Sequence, residues 1–426
     1  MNRLCAVVSL VGVVASCNGS NEPRSSSPVQ PEAVPVTPAL SVPRPFLILT
    51  QAQFTWQKNA EGKRRPSPGP AKLVLLYPEG SRWRHEIIED PDSRVFHKAV
   101  CRSTRSGSVE LFTIGGTQAH LKTWQWRDNE WASTSHWNPT FGGKWDRLRD
   151  FETGDVDQDG HEEFVIATHD QGVIGVAQES TAGLTVQEVF RQPDTFIHEI
   201  EIGDTNADGQ QEFYATPSDP NRRGRSQAGG ILMFHHTENG KYEKTWIAKF
   251  KDRHAKEILV ADIDADGRDE LYVSVEAETR KAGTQTRVIK PLEIRRYDRD
   301  TKGEWHHRII ATLERGVQAR VLLATKLQSS ARTSLVVTTF RDGIWLLTPK
   351  TQTMAWTKLQ IDASSSGFEH AAGVADLDKD GQQELYVAAD DQDAVRRYTW
   401  NGRDFSRETV YTLAKSDLTW SVEACP

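Results

Sequence analysis

An acidic motif that recurs four times along the chain constrains the fold more than any other feature. Each copy reads Asp-x-Asp/Asn-x-Asp-Gly-x-x-Glu plus an apolar residue, and the copies begin at Asp155, Asp204, Asp262 and Asp376. Short apolar runs rich in β-branched or aromatic residues flank the copies, which is typical of a loop between two strands. A strand–loop–strand unit repeated along a chain of 426 residues predicts a repeat architecture.

The intervals between the copies indicate how many units there are. They are 49 residues (155 to 204), 58 residues (204 to 262) and 114 residues (262 to 376). The last interval is about twice the others, and a degenerate copy without carboxylates fills it at 326–331; another lies at 102–111. Three further strand patterns follow the first strand of each unit. Four short strands repeated in this way predict a propeller blade.

The two chain ends supply the last blade. Six units begin near residues 97, 150, 199, 257, 320 and 371. Residues 46–90 match only the last three strands of a blade, and residues 419–424 match a lone first strand. Joining them leaves no sheet edge exposed. The sequence therefore predicts an all-β, monomeric, seven-bladed β-propeller of four-stranded blades at 45–426, in which N- and C-terminal strands share one blade.

This closure places two cysteines near each other. Cys425 ends the lone first strand, and Cys101 lies at the matching point of the next blade. A chain that meets an oxidising compartment favours pairing, so we predict a disulfide bond that fixes the closure. Two unrelated buried thiols are the alternative.

The first 44 residues indicate a signal and a tether. Residues 1–16 combine one positive charge, a short apolar run and small residues before Cys17, which is typical of a secretory signal peptide. The segment Val-Ala-Ser-Cys17 resembles the lipobox of bacterial lipoproteins, which implies acylation of Cys17; an ordinary signal peptide cut nearby is the alternative. Residues 17–44 are rich in Pro and Ser and predict a solvated tether. We expect a lipid-anchored protein of the bacterial cell envelope that contacts the membrane only through its lipid.

The acidic loops offer oxygen ligands at positions 1, 3, 5 and 9 and a carbonyl at position 7, an arrangement that suits Ca²⁺. Glycine at position 6 permits the sharp turn that the loop needs. Position 12 falls inside the following strand in all four copies, which excludes an EF-hand. Solvated acidic turns without a metal are the alternative.

These loops resemble the FG-GAP/VCBS repeats of integrin α-subunit propellers and of many secreted bacterial proteins. The resemblance covers the chain from about residue 45 to its end and implies about four calcium ions that tie strand one to strand two of a blade. Glutamate at position 9 departs from the aspartate that the family often has. Carried over by position, the calcium ligands are Asp155, Asp157, Asp159, Glu163, Asp204, Asn206, Asp208, Glu212, Asp262, Asp264, Asp266, Glu270, Asp376, Asp378, Asp380 and Glu384.

Residues that enter the inner strands should surround the mouth of the central channel, on the face opposite the acidic loops. A charged ring with an aromatic member could hold an acidic saccharide or a protein loop, whereas a polar mouth without a ligand is the alternative. The candidate ligand-binding residues are Arg149, His198, Glu199, Lys256, Glu257, Arg320, His370 and Trp420.

Composition and missing motifs narrow the possible functions. Lys and Arg (52) are outnumbered by Asp and Glu (59), so nucleic acid is not an expected partner. No apolar run reaches the roughly 18 residues of a membrane span. Nucleophile-elbow, zinc-protease and P-loop motifs are absent. We predict a calcium-stabilised, non-catalytic binding or adhesion module that recognises a saccharide or an envelope or extracellular protein. The alternatives are a polysaccharide lyase or hydrolase acting on an acidic glycan, and a structural subunit of an envelope complex.

Overall fold

The computed structural model describes residues 45–58, 64–104, 108–143, 146–180, 183–220, 227–282, 285–328, 332–350 and 355–425. The predicted signal peptide, Cys17 and the tether lie outside these ranges. Within them, no helix is long and apolar enough to cross a membrane.

The described residues form thirty strands and a single 3-10 turn at Asp390–Gln392. In chain order the strands are β1 (Phe46–Lys58), β2 (Arg64–Glu79), β3 (Arg82–Asp90), β4 (Val95–Ser103), β5 (Val109–Gly116), β6 (Leu121–Arg127), β7 (Glu130–Trp137), β8 (Leu148–Gly154), β9 (Glu163–Thr168), β10 (Ile174–Ser180), β11 (Gly183–Phe190), β12 (Phe196–Gly203), β13 (Glu212–Ser218), β14 (Gly229–His236), β15 (Tyr242–Phe250), β16 (Ala255–Ala261), β17 (Glu270–Val275), β18 (Glu278–Ala282), β19 (Gln285–Lys290), β20 (Leu292–Arg299), β21 (Trp305–Leu313), β22 (Ala319–Thr325), β23 (Ser334–Thr339), β24 (Ile344–Pro349), β25 (Trp356–Asp362), β26 (Ala372–Ala375), β27 (Glu384–Ala389), β28 (Ala394–Trp400), β29 (Phe405–Thr412) and β30 (Asp417–Cys425).

The strands form seven four-stranded antiparallel sheets, which confirms the predicted seven-bladed β-propeller. Six sheets use consecutive strands, except that the hairpin β18–β19 is inserted between β17 and β20 of one blade. The innermost strands are β4, β8, β12, β16, β22, β26 and β30, and each contacts the next around a closed ring. These inner strands line the central channel, so their side chains determine what can bind there.

The seventh blade is built from both chain ends, in the order β3-β2-β1-β30. Antiparallel pairing of β1 with β30 places Phe46 opposite Cys425 and Leu49 opposite Val422. A disulfide joins Cys425 to Cys101 in β4 of the next blade, with 5.3 Å between their Cα atoms. The closure strand is therefore held by hydrogen bonds within its own blade and by a covalent bond to a neighbouring blade.

Burial falls from the centre of each blade to its outer edge. The second strands β5, β9, β13, β17, β23 and β27 are buried at every position, because neighbouring sheets cover both faces. Such strands need apolar residues on both faces, as in Phe164–Ala167. The outer strands are largely exposed, as in β7 and β11.

Candidate functional site

A cavity of about 1190 Å³ opens at the mouth of the channel. Loops that join second to third strands, and links between blades, form its upper wall. Its base carries one residue from each of the seven blades, a set called here the mouth ring. The mouth ring consists of His97, Arg149, His198, Lys256, Arg320, Glu369 and Trp420. Five of the eight predicted ligand-binding residues are members, namely Arg149, His198, Lys256, Arg320 and Trp420.

His370 is not at the mouth, contrary to the sequence-based expectation. Its side chain is fully buried, with Nδ1 2.7 Å from the Thr339 carbonyl oxygen and Nε2 2.8 Å from Ser365 Oγ. Glu369 takes the predicted place instead. The inner strand β26 has only four residues and begins at Ala372, so the residue facing the cavity comes from the preceding loop and the register shifts by one.

Glu199 and Glu257 do not line the cavity either. Each follows a mouth-ring residue by one position on an inner strand, so its side chain leaves on the other side of that strand. They belong to a channel cluster that surrounds Lys98. The channel cluster consists of Asp150, Glu152, Glu199, Glu201, Glu257 and Glu423 together with Lys98. Burial and mutual repulsion raise the pKa values of Glu199 and Glu201 well above the usual range.

Three cations of the mouth ring surround one carboxylate. Glu369 Oε2 lies 3.6 Å from Arg149 Nη2, 3.6 Å from Lys256 Nζ and 3.7 Å from Arg320 Nη1. Burial would raise the pKa of Glu369, but Lys256, Arg320 and Arg149 together lower it to about 2. Glu369 is therefore ionised throughout the physiological pH range.

Aromatic rings flank these cations. The Arg149 guanidinium lies 5.4 Å from the Trp420 ring centre, and that of Arg320 lies 5.1 Å from Phe340 and 5.3 Å from Phe368. Such cation–π contacts hold a guanidinium in place and leave an apolar face beside it. Phe368 is 42% exposed, so the rim offers a surface on which a sugar ring could stack.

Four histidines line the cavity, and two of them have a defined tautomer. His97 Nδ1 lies 2.5 Å from the Leu148 carbonyl oxygen, so Nδ1 carries the proton and Nε2 keeps a lone pair. The Ser218 hydroxyl donates to the Asp219 carbonyl, so His198 Nε2 donates to Ser218 Oγ at 2.9 Å and Nδ1 keeps the lone pair. Burial first, and nearby positive groups second, lower the pKa values of both rings. Both histidines are neutral near pH 7.

A histidine–carboxylate pair lies on the wall of the cavity. His254 Nε2 is 3.6 Å from Glu276 Oε2, and Gln318 donates to the same oxygen at 3.1 Å. Arg147 and His169 line the cavity beside them. None of these residues was predicted from the sequence. Arg147, Phe196, His254 and Gln318 each precede a mouth-ring residue by two positions, so the blade repeat that located the mouth ring would also have located them.

On the loops that link first to second strands, the carboxylates of three of the predicted calcium motifs converge. The groups, each with ligand atoms within 4.8 Å of one another, are Asp155, Asp157 and Glu163; Asp262, Asp264, Asp266 and Glu270; and Asp376, Asp378, Asp380 and Glu384. The glycine at position 6 has a φ between +85° and +89° in all four loops, a conformation that favours glycine. Several acidic clusters that could hold a metal ion therefore exist.

These three clusters pass a simple test of fit to a hard cation. Asp155, Asp264 and Glu384 each have one buried carboxylate oxygen without a hydrogen-bond partner among the described residues. A buried unsatisfied oxygen is costly, and a bound cation would satisfy it. Calcium, if bound, would be held by these carboxylates.

The carboxylates of the loop at residues 204–212 are not among these converging groups. Glu212 Oε1 is 2.7 Å from Arg299 Nη1 of the next blade, and Asn206 donates its amide to Asp208 at 2.8 Å. In the loop at 262–270 an arginine of the same blade, Arg296, contacts Glu270 at 3.0 Å, and the carboxylates there do converge. Asp159 of the first loop also lies outside its converging group.

Comparison with known proteins identifies the fold. No protein-family model matches the chain, and no curated protein matches it. Among solved structures, a putative 6-phosphogluconolactonase from Bacteroides uniformis matches with a TM-score of 0.50 and 13% identity, over 89% of this chain and 99% of that one. A periplasmic gluconolactonase from Pseudomonas aeruginosa matches with a TM-score of 0.52 and 11% identity, over the same shares. The chain is similar to these proteins in its β-propeller fold.

The predicted main function, a non-catalytic binding or adhesion module, is wrong. The finding against it is that two structural neighbours are named as a putative 6-phosphogluconolactonase and a gluconolactonase, which favours the hydrolase alternative. The sequence could not separate the two because a charged propeller mouth serves binding and catalysis equally well.

Proposed function

We propose that this protein is a hydrolase that cleaves an ester or lactone bond of a sugar derivative in the mouth cavity. The observation that carries the proposal is His97, a neutral base of fixed tautomer, in the same ring as three clustered cations. The names of the two structural neighbours support a lactone as the substrate.

His97 is suited to act as the general base. Its Nδ1 proton is held by the Leu148 carbonyl, so Nε2 is the nitrogen that accepts a proton from an attacking water. General base catalysis by a positioned histidine contributes roughly 10²- to 10⁴-fold. The His97 and Trp420 rings pack at 88° to each other with 4.6 Å between ring centres, which restricts rotation of the imidazole.

Arg149, Lys256 and Arg320 are suited to stabilise the oxyanion that forms when water attacks a carbonyl carbon. Their side chains are 10% exposed or less, so the interaction with a developing negative charge is poorly screened. Glu369 and the aromatic contacts hold them before substrate arrives. This preorganisation lowers the barrier without a reorganisation cost at the moment of reaction.

The alternative of glycosidic-bond hydrolysis fits this site less well. Glycosidases use a protonated carboxylic acid as the proton donor to the leaving sugar. Glu369 cannot serve, because its pKa of about 2 keeps it ionised. Glu276, the other carboxylate of the cavity, faces His254 and accepts from Gln318. An ester or lactone, which needs a base and an oxyanion site, is the better substrate.

We also propose that the acidic loops bind Ca²⁺ as FG-GAP/VCBS-type repeats and stabilise the blades away from the active site. The predicted signal peptide, the lipobox-like Cys17 and the predicted tether support a lipid-anchored enzyme of the bacterial envelope, which we propose is a monomer. Its partner would then be a saccharide of that compartment.

A substrate screen tests the proposed activity. Purified protein is incubated with a panel of aldonolactones, uronolactones and acetylated sugars, and acid release is followed by pH-stat titration over the uncatalysed rate. We expect a lactone or ester to be hydrolysed in proportion to enzyme concentration. No hydrolysis above background across the panel, with folded protein, would overturn the proposal.

A further inference from the structure

The mouth cavity is strongly cationic in a chain whose net charge is −7. Among the residues that the structure describes, two carboxylates, Glu276 and Glu369, line it. The lining cations are Arg147, Arg149, Arg253, Lys256, Arg320 and Arg341. A low-dielectric cavity lined by one sign of charge attracts ligands of the opposite sign.

Two of these cations form ion pairs that stabilise the fold. Arg147 pairs with Asp170 at 3.1 Å, and Arg253 pairs with Glu293 at 2.9 Å. Arg253 also donates to the carbonyls of Glu276, Val275 and Pro291, which fixes the loop after β17. These two arginines are structural, so the charge available to a ligand lies elsewhere in the cavity.

The remaining charge is concentrated around Glu369. Arg149, Lys256 and Arg320 each approach Glu369 Oε2 to 3.6–3.7 Å, which is longer than the roughly 2.7–3.2 Å of a hydrogen bond. Lys256 also contacts Glu257 at 2.5 Å. The carboxylate of Glu369 thus lies between three cations and is within hydrogen-bond distance of none of them.

The channel cluster sets how deep an anion can enter. Asp150, Glu199 and Glu257 lie directly next to the mouth ring and act electrostatically on Arg149. An anionic group is attracted to the three cations, whereas in the channel cluster beyond them the one cation, Lys98, is already surrounded by carboxylates. Binding is therefore confined to the level of Glu369, beside Trp420.

We propose that the substrate is a sugar acid or a sugar phosphate. In the free protein, Glu369 occupies the position among the cations that the anionic group of the substrate would take. The anion of the substrate binds among Arg149, Lys256 and Arg320, whose several N–H donors also leave donors for the oxyanion of the proposed reaction, and its ring lies against Trp420. This inference rests on the proposed function and specifies its substrate class. Because Glu369 competes for the same cations, its own charge weakens substrate binding.

Isothermal titration calorimetry of the purified full-length protein tests the proposal with D-gluconate, D-glucose 6-phosphate and D-glucose. We expect at least one anion to bind about tenfold or more tightly than glucose, and the two anions distinguish a carboxylate from a phosphate. In Arg320→Met the anion should bind at least about tenfold more weakly, because one cation is lost. In Glu369→Gln it should bind about tenfold more tightly, because a competing charge is removed.

Arg403→Met is the matched control, since the Arg403 side chain is 91% exposed and is not part of the cavity; anion binding should be unchanged. Melting curves establish that each variant is folded. If Glu369→Gln does not fold, the proposal is tested by the weaker anion binding that is expected in Arg149→Met and Arg320→Met.

Equal affinity for glucose and both anions, no binding of either anion, or weaker anion binding in Glu369→Gln would overturn the inference. Calorimetry separates this failure from failure of the proposed function. Hydrolysis of neutral lactones without anion preference would sustain the hydrolase and refute the anionic substrate. Anion binding without any hydrolysis would sustain the anion-binding site and refute the hydrolase.

Discussion

At the scale of single residues, the environment of His97 determines its chemistry. Burial lowers its pKa well below the usual value, and Arg149, Arg147 and His169 lower it further. The ring gains no carboxylate partner to offset this, since its Nδ1 proton goes to a backbone carbonyl. A histidine in this setting remains a neutral base under conditions that protonate a surface histidine.

The pH dependence of hydrolysis follows from that shift. A general base works in its deprotonated form, so activity is lost as pH falls through the folded-state pKa of His97. Because that pKa lies well below 6.5, we expect kcat/KM to stay level between about pH 7.5 and 6 and to fall only in more acidic buffer. The measurement is a pH–rate profile with the best lactone of the screen. A half-loss of activity near pH 6.5 would contradict the assignment.

Individual site residues were predictable where the repeat is regular. Arg149, Lys256 and Arg320 are each the second residue of an inner strand, so blade spacing alone placed them at the mouth. Glu369 escaped prediction because the loop before β26 shifts the register, and Glu276 escaped because it lies after β17, next to an inserted hairpin. Irregular segments break the period on which such predictions depend.

At the scale of elements, the acidic loops are coupled to the packing between blades. In three of the loops, the position-9 glutamate accepts a hydrogen bond from a tyrosine two residues later, as in Tyr272 to Glu270 at 2.8 Å. That tyrosine packs edge-on against a tryptophan that opens the outer strand of an adjacent blade, as in Tyr272 and Trp356. A change at the loop is therefore transmitted to the interface between sheets.

We predict that Arg299, which lies on the next blade, keeps the loop at 204–212 from binding a metal ion. Arg299 contacts Glu212, and the carboxylates of this loop are not among the converging groups, so we expect about three calcium ions per chain in the wild-type protein. Arg299→Met should free Glu212 and add one ion. Native mass spectrometry in calcium measures the count, and Arg403→Met serves as the control. Four ions in the wild-type protein, or no gain in the variant, would refute this role of Arg299.

The disulfide fixes the closure of the ring. Cys101 and Cys425 are 324 residues apart in sequence, so their bond removes much conformational freedom from the unfolded chain. We expect the double variant Cys101→Ser/Cys425→Ser to lose roughly 2–5 kcal/mol of unfolding free energy and to melt several degrees lower. Differential scanning calorimetry provides the test. An unchanged melting temperature would mean that the pairing of β1 with β30 alone holds the ring.

At the scale of the whole molecule, the channel contains buried carboxyl groups whose raised pKa values favour the protonated, neutral form. Burial raises the pKa of Glu423, Lys98 lowers it and Glu152 raises it, so that its pKa is about 7. A raised folded-state pKa favours the protonated form. This group therefore costs no stability in acid, and stability falls as pH rises from about 4.5 towards 7.

Glu423→Gln isolates this effect. The amide is neutral at every pH, so we expect the variant to melt a few degrees above the wild-type protein at pH 8 and at nearly the same temperature at pH 4.5. Melting curves at the two pH values measure the difference. A variant that is less stable at pH 8 would show that the ionised Glu423 is needed for its contact with Lys98.

The architecture of the whole ring was accessible from the sequence. Four motif copies, two degenerate copies and complementary chain ends determined the blade count, because each blade must bury its faces against two neighbours. The function was not accessible in the same way. The mouth combines single residues from seven blades, and their joint electrostatics exists only after the ring has closed.

The most direct test of the central claim is the rate of lactone hydrolysis by the wild-type protein beside its His97→Gln variant at pH 7. His136→Gln is the matched control, since His136 is exposed on the outer strand β7. We expect enzyme-dependent hydrolysis in the wild-type protein and the control, and a loss of roughly 10²-fold or more in kcat for His97→Gln. Full activity of a folded His97→Gln variant would contradict the placement of the active site in the mouth cavity.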